Sequence, residues 1–213
     1  MKKLISLILI LLLIGCSKQE SATYKEMKAD ELMSDYFSDN ELKDLAKIVD
    51  FFDSEIRLDK SKPKDEAYFE FNKNIIEECI NEIKGFKIPL NYKLQEEVYS
   101  KIDTAFFKEI WVHRNFYKGL GMEKSILEKA YDLNLFGKYM LFLKSLKNQD
   151  VLFRDFYKMF SLSNEISFGV QSAAFYQFEM KEFKGIKRRL FFAIYYLTIN
   201  DKMHNYNSRK KQL

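Results

Sequence analysis

Ser38-Asp39-Asn40-Glu41-Leu42-Lys43-Asp44-Leu45-Ala46-Lys47-Ile48-Val49-Asp50-Phe51-Phe52-Asp53-Ser54-Glu55-Ile56 decides the fold class. Its first four residues match a capping box, with Ser38 as N-cap and Glu41 reaching back to the open amides of the first turn. Leu42, Leu45, Val49, Phe52 and Ile56 follow at steps of three and four residues. That spacing lays one apolar stripe along an α-helix. Ser61-Lys62-Pro63-Lys64 then breaks the pattern.

The same period recurs downstream. A helix from about Asp65 to Lys84 carries Phe71, Ile75, Ile76, Cys79, Ile80 and Ile83 on one face, and Gly85 stands at its C-cap. Pro89 and Asn91 open another, with Leu94, Val98, Ile102, Ala105 and Phe106 on one side, continuing through Trp111. Asn115 to Gly121 reads as a long turn, and Ile126, Leu127, Ala130 and Tyr131 as a short helix. Asn134 is expected to cap a helix containing Tyr139, Met140, Leu143 and Leu146. Asp150 caps one with Leu152, Phe153, Phe156, Tyr157 and Phe160. Ser163 is expected to cap the next, with Ala173, Ala174, Phe175 and Phe178. Gly185 separates it from a last helix bearing Ile186, Leu190, Ile194 and Leu197. No segment alternates with period two, so no strand is expected. Gly 7 and Pro 2 are low counts, which favour long helices over a many-turned sandwich. The expectation is all-α, a single domain of about seven or eight helices over residues 38–203, with a basic tail at 204–213.

Ahead of that domain, Lys2 and Lys3 precede an apolar run from Leu4 to Leu12 and then Leu13-Ile14-Gly15-Cys16. These residues resemble the signal and lipobox of bacterial lipoproteins. The resemblance implies cleavage after Gly15, so residues 1–15 are a signal peptide. It also implies acylation of Cys16 with palmitate-type chains. Two or three chains anchor stably where one binds marginally. The apolar run is too short for a membrane span, which needs roughly 20 residues. Residues 16–37 are then expected to be the lipidated cysteine and a polar tether. Ser17, rather than aspartate, after the cysteine resembles an outer-membrane address. Lys18-Gln19-Glu20 matches only in part the acidic run of surface-exposed Bacteroidetes lipoproteins, so periplasmic and surface leaflets both stay open. Two later stretches, 132–140 and 189–200, resemble uncharacterised Bacteroidetes-type lipoproteins; that resemblance implies no activity and carries over no functional residue.

Removing Lys2 and Lys3 lowers the formal net charge from +4 to +2, which gives no support to nucleic-acid binding. With Cys16 the anchor, Cys79 is the only other cysteine, so the domain has no internal disulfide. Its place on an apolar helix face reads as a buried, inert thiol rather than a nucleophile. Glu109 and His113, four apart, would share a face if helical and suit a metal or an ion pair; an ordinary surface pair beside Trp111 is the plainer reading. His204 lies in the tail and reads as solvated. Asp50 with Asp53, Glu77 with Glu78, and Glu96 with Glu97 read as solvated neighbours rather than glycosidase pairs. Gly119-Leu120-Gly121 lacks the third glycine of a dinucleotide loop. Lys184, Lys187, Arg188 and Arg189, and Arg209, Lys210 and Lys211, form basic clusters that suit anionic headgroups or simply solvent.

No catalytic, cofactor or metal residue is singled out; Cys16 is the one assigned site. The function expected is a lipid-anchored envelope protein with a binding or structural role. Its partners are the bilayer, through acylated Cys16, and an envelope protein. Two other readings stand beside it. A carboxylate pair facing one cleft would favour a helical envelope hydrolase. An exposed aromatic patch without a deep pocket would favour an inhibitor or immunity-type lipoprotein.

Overall fold

Ser38 and Glu41 form the expected capping box, and the helix they start runs through Asp39–Ile56. A computed structural model of the protein describes residues 20–81, 87–117, 127–163, 165 and 175–210. Residues 1–15, expected as a signal peptide, and Cys16, Gly85, Gly119-Leu120-Gly121, Ala173, Ala174 and Lys211 lie outside the described residues. Within them the chain is mostly helical with one small two-stranded sheet. The elements in order are α1 (Ala22–Ala29), α2 (Glu31–Tyr36), α3 (Asp39–Ile56), α4 (Lys64–Asn81), α5 (Tyr92–Tyr99), α6 (Thr104–Ile110), β1 (Trp111–Tyr117), β2 (Leu127–Leu133), α7 (Lys138–Leu146), α8 (Val151–Ser163), a 3-10 turn (Met180–Phe183) and α9 (Ile186–Lys210).

The segment expected as a tether is folded from Ser21 onward. Ser21 Oγ accepts from the Tyr24 N–H and caps α1; Asp30 accepts from the Met33 N–H and caps α2. Tyr24, Met27, Met33 and Phe37 are buried, and α1 packs along α3. The stretch looked polar because its few apolar residues are spaced between charges. Three or four of them suffice to dock two short helices on a larger core.

α9 is the centre of the molecule. Leu190 to Leu197 are all buried, and β2, α3, α5, α1, α4 and the 3-10 turn pack against it. Gly185 precedes it at φ +84°, a left-handed conformation that suits glycine. Polar groups along α9 each fasten a different element. Arg189 donates to Glu26 of α1, and the Tyr196 hydroxyl donates to Asn72 Oδ1 of α4 at 2.6 Å. Thr198 Oγ1 accepts from Trp111 Nε1 at 2.8 Å. Asn200 Nδ2 donates to Gln95 Oε1 of α5 at 2.8 Å. Lys202 pairs at 2.8 Å with Asp132 of β2, whose side chain is fully buried. Buried polar groups need partners, and here each partner lies on another element.

Three of the four basic residues at the start of α9 therefore form an internal clamp rather than a headgroup or solvated face, while Lys184 is exposed. Lys187 pairs with Asp30, Arg188 with Asp150 at 2.8 Å, and Arg189, itself 5 % exposed, with Glu26. Asp30 and Asp150 are also helix caps. Asp150 Oδ1 accepts from the Leu152 N–H, as expected. The aromatic stripe of α8 is core: Phe153, Phe156 and Phe160 are buried, and Phe156 packs edge-on to Phe191 at 4.7 Å.

Several boundaries differ from the sequence reading. Asp103 caps a separate α6, its Oδ1 taking the N–H groups of Ala105 and Phe106, so α5 stops at Tyr99. Gly137, not Asn134, is the N-cap of α7. A Cβ at Gly137 would stand 2.3 Å from the Glu109 carbonyl oxygen, so the close approach of α6 requires glycine there. Ser163 is the last residue of α8, and most of the helix expected after it, residues 164 and 166–174, lies outside the described residues. The expected basic tail is helical: α9 continues through Lys210.

The largest correction is the hairpin. Trp111 starts a strand, and the expected helix around Leu127 to Tyr131 is its antiparallel partner, in register His113↔Tyr131. Its inward residues include Ala130 and Asp132, both buried, so the face turned to the core is not an apolar row. The pairing that settles it is tertiary: Lys202 satisfies Asp132, and Asp201 caps the outer edge.

Candidate functional site

A cleft of about 720 Å³ opens between α5, α6 and the hairpin. Trp111 and Tyr99 form a buried floor, their ring centroids 4.7 Å apart. Phe107 and Tyr131 are partly buried walls, 5.0 Å apart and near-perpendicular. Glu96, Lys108, Glu109 and His113 are exposed at the rim.

The positions follow from local structure. Tyr92, Glu96 and Tyr99 stand at i, i+4 and i+7 of one helix and so share a face. Trp111, His113 and Tyr131 are brought together by strand pairing. Tyr131 points its N–H away from β1, to Asp201 Oδ2 at 2.6 Å. His113 and Tyr131 are then a pair without mutual backbone hydrogen bonds, the closer kind of cross-strand neighbour. Their rings stack at 4.0 Å and 21°.

Asp201 is the buried hinge of the site. Besides the Tyr131 N–H it accepts from the Tyr92 hydroxyl at 2.8 Å. Burial pushes its carboxyl above the usual range, and those two hydrogen bonds only partly oppose the shift. Burial also pushes the Tyr92 and Tyr131 phenols up, with Asp201 and then Glu96 adding to both. His204 is exposed, but it is not simply solvated: it stacks on Tyr92 at 3.7 Å and 5°.

Glu109 and His113 do not share a helix. Glu109 lies in the last turn of α6 and its Oε2 accepts from the Lys138 N–H at 2.8 Å, while His113 sits on β1. Both nevertheless line the cleft. No group of three or more His, Cys, Asp or Glu positioned to hold a metal occurs among the described residues. Cys79 is free and half-buried against the core, and burial pushes its thiol up. Among the other carboxylates, Asp53 is buried and structural: it accepts from the Tyr68 hydroxyl at 2.8 Å and pairs with Lys64 at 2.6 Å. Glu77, Glu78 and Glu97 are exposed.

Sequence reasoning passed over Tyr92, Tyr99, Phe107, Tyr131 and Asp201. The spacing of Tyr92, Glu96 and Tyr99 was a readable signal. The rest required the hairpin. No protein-family model, curated protein or solved structure matches this chain. No helix among the described residues is long and apolar enough to cross a membrane.

Proposed function

We propose that this protein is a bacterial envelope lipoprotein, anchored through acylated Cys16 in the outer membrane, that binds a small ligand in the aromatic cleft. The observation that carries the binding role is the cleft itself. It has an aromatic floor and walls and a few polar groups at the rim, in the size range of small-molecule sites. The anchor is supported by Leu13-Ile14-Gly15-Cys16. Feeding cells a fatty-acid analogue should tag the wild-type chain and leave Cys16→Ala untagged; equal tagging refutes the anchor. For the cleft, Trp111 is the single tryptophan and lies on its floor, so its emission reports occupancy. Sugars, amino acids, short peptides and organic cations are titrated into the purified protein. A saturable change with one class supports the cleft, and silence to every class overturns it.

A hydrolase reading has one observation in its favour: Glu96 and Glu109 line the same cleft. Glu109 is already committed to the Lys138 N–H, and both carboxylates are exposed, without the desolvated setting that tunes a catalytic acid. Binding is therefore the better-supported role.

A further inference from the structure

We propose that the aromatic cleft recognises an organic cation of the quaternary-ammonium class; this rests on the cleft being the ligand site. Three wall and floor rings stand mutually edge-on. Tyr99 and Phe107 are 5.1 Å apart at 69°, Phe107 and Tyr131 5.0 Å at 74°, and Tyr99 and Tyr131 6.0 Å at 87°. The three ring planes therefore run in three different directions, and all three rings line one cleft. The electron-rich face of an aromatic ring attracts a cation within about 6 Å.

The charges agree. Glu96 and Glu109 stand at the rim and Asp201 lies beneath Tyr92 and Tyr131, against one lysine, Lys108. His113 covers one face of Tyr131. Glu96 makes no side-chain hydrogen bond or ion pair among the described residues, and it lies one helical turn from both Tyr92 and Tyr99.

The state of the acceptors selects among cations. A primary ammonium carries three N–H donors, each needing an acceptor when it leaves water. Here Asn134 Oδ1 is taken by the Phe136 N–H, Glu109 Oε2 by the Lys138 N–H, and the two Asp201 oxygens by Tyr92 and Tyr131. Glu96 keeps both oxygens open and Glu109 keeps Oε1, but all three stand exposed at the rim and not at the aromatic floor. A tetra-alkylated ammonium needs no acceptor and gains from every π face it meets. A neutral sugar meets the same shortage of open acceptors without the gain from charge.

The test uses the full lipidated protein in detergent, with Trp111 emission as the readout. Tetramethylammonium chloride is the probe, tert-butyl alcohol the uncharged shape control and sodium chloride the ionic-strength control. A saturable change is expected with tetramethylammonium alone. Glu96→Gln, at an exposed position, should weaken it about three-fold. Phe107→Leu, which keeps bulk and removes a π face, should weaken it about ten-fold. An equal response to tert-butyl alcohol overturns the proposal, as does unchanged affinity in Glu96→Gln. Silence to tetramethylammonium with a saturable response to a sugar or peptide overturns the cation and leaves the cleft standing. Silence to every class removes both.

Discussion

Asp201 accepts from a tyrosine hydroxyl of α5 and from a backbone N–H of β2 with its two separate oxygens. Asparagine offers one acceptor oxygen, so Asp201→Asn orphans one of these donors and should cost about 1–3 kcal/mol. The acid also gives the exchange a pH signature. Because burial raises its folded pKa, the native chain keeps a proton that the unfolded chain has released. Stability contributed by this group therefore falls as pH rises from the unfolded value of about 4 through the raised folded value. Urea unfolding across that range should show wild type losing stability relative to Asp201→Asn as pH rises. A gap that stays constant, or widens in the other direction, contradicts the assignment. Nothing local in Thr198-Ile199-Asn200-Asp201-Lys202 marks Asp201 as buried, because four polar residues in five read as a solvated helix end.

Among the elements, α1 and α2 separate a local reading from a tertiary one most sharply. Met27 and Met33 are fully buried although their segment is polar. Met27→Ala should cost about 2–5 kcal/mol if α1 is docked, and nothing if it is a tether; chemical denaturation of the two chains decides. The hairpin teaches the converse lesson. Leu127, Ala130 and Tyr131 fall at helical spacing, yet β2 forms. Helix propensity is worth only tenths of a kcal/mol per residue. The strand gains a ladder with β1 and burial against α9, and those outweigh it.

At the scale of the whole molecule, the folded α1 changes what an anchor would do. Only Ser17 to Glu20 separate Cys16 from the Ser21 cap. Five Cα steps reach no more than about 18 Å, so acylation would hold the domain against the bilayer. The same end of the domain adjoins the cleft. Lys101 and Asp103 line a groove with Glu20 and Ser21, while Ser100, Ile102 and Thr104, in the same α5–α6 turn, line the aromatic cleft. Energy transfer from a dye at Lys25→Cys, in a Cys79→Ser background, to acceptor lipids in vesicles should be high. Inserting about twenty glycine and serine residues after Gln19 adds a reach of roughly 25 Å and should lower it. Unchanged transfer would show that this linker does not set the stand-off.

The sequence by itself determined the all-α class, the Ser38, Asn91 and Asp150 caps, the breaks at Pro63 and Gly185, and the α8 stripe that became core. Each of these is written within four or five residues, the range over which a cap or a helical turn closes. Tertiary structure alone decided the docking of α1 and α2, the hairpin and the cleft. Those rest on Asp30 with Lys187, Trp111 with Thr198 and Tyr131 with Asp201, pairs separated by 157, 87 and 70 residues. A partner so distant leaves no periodic trace around either residue, and its free energy exists only once α9 is packed at the centre.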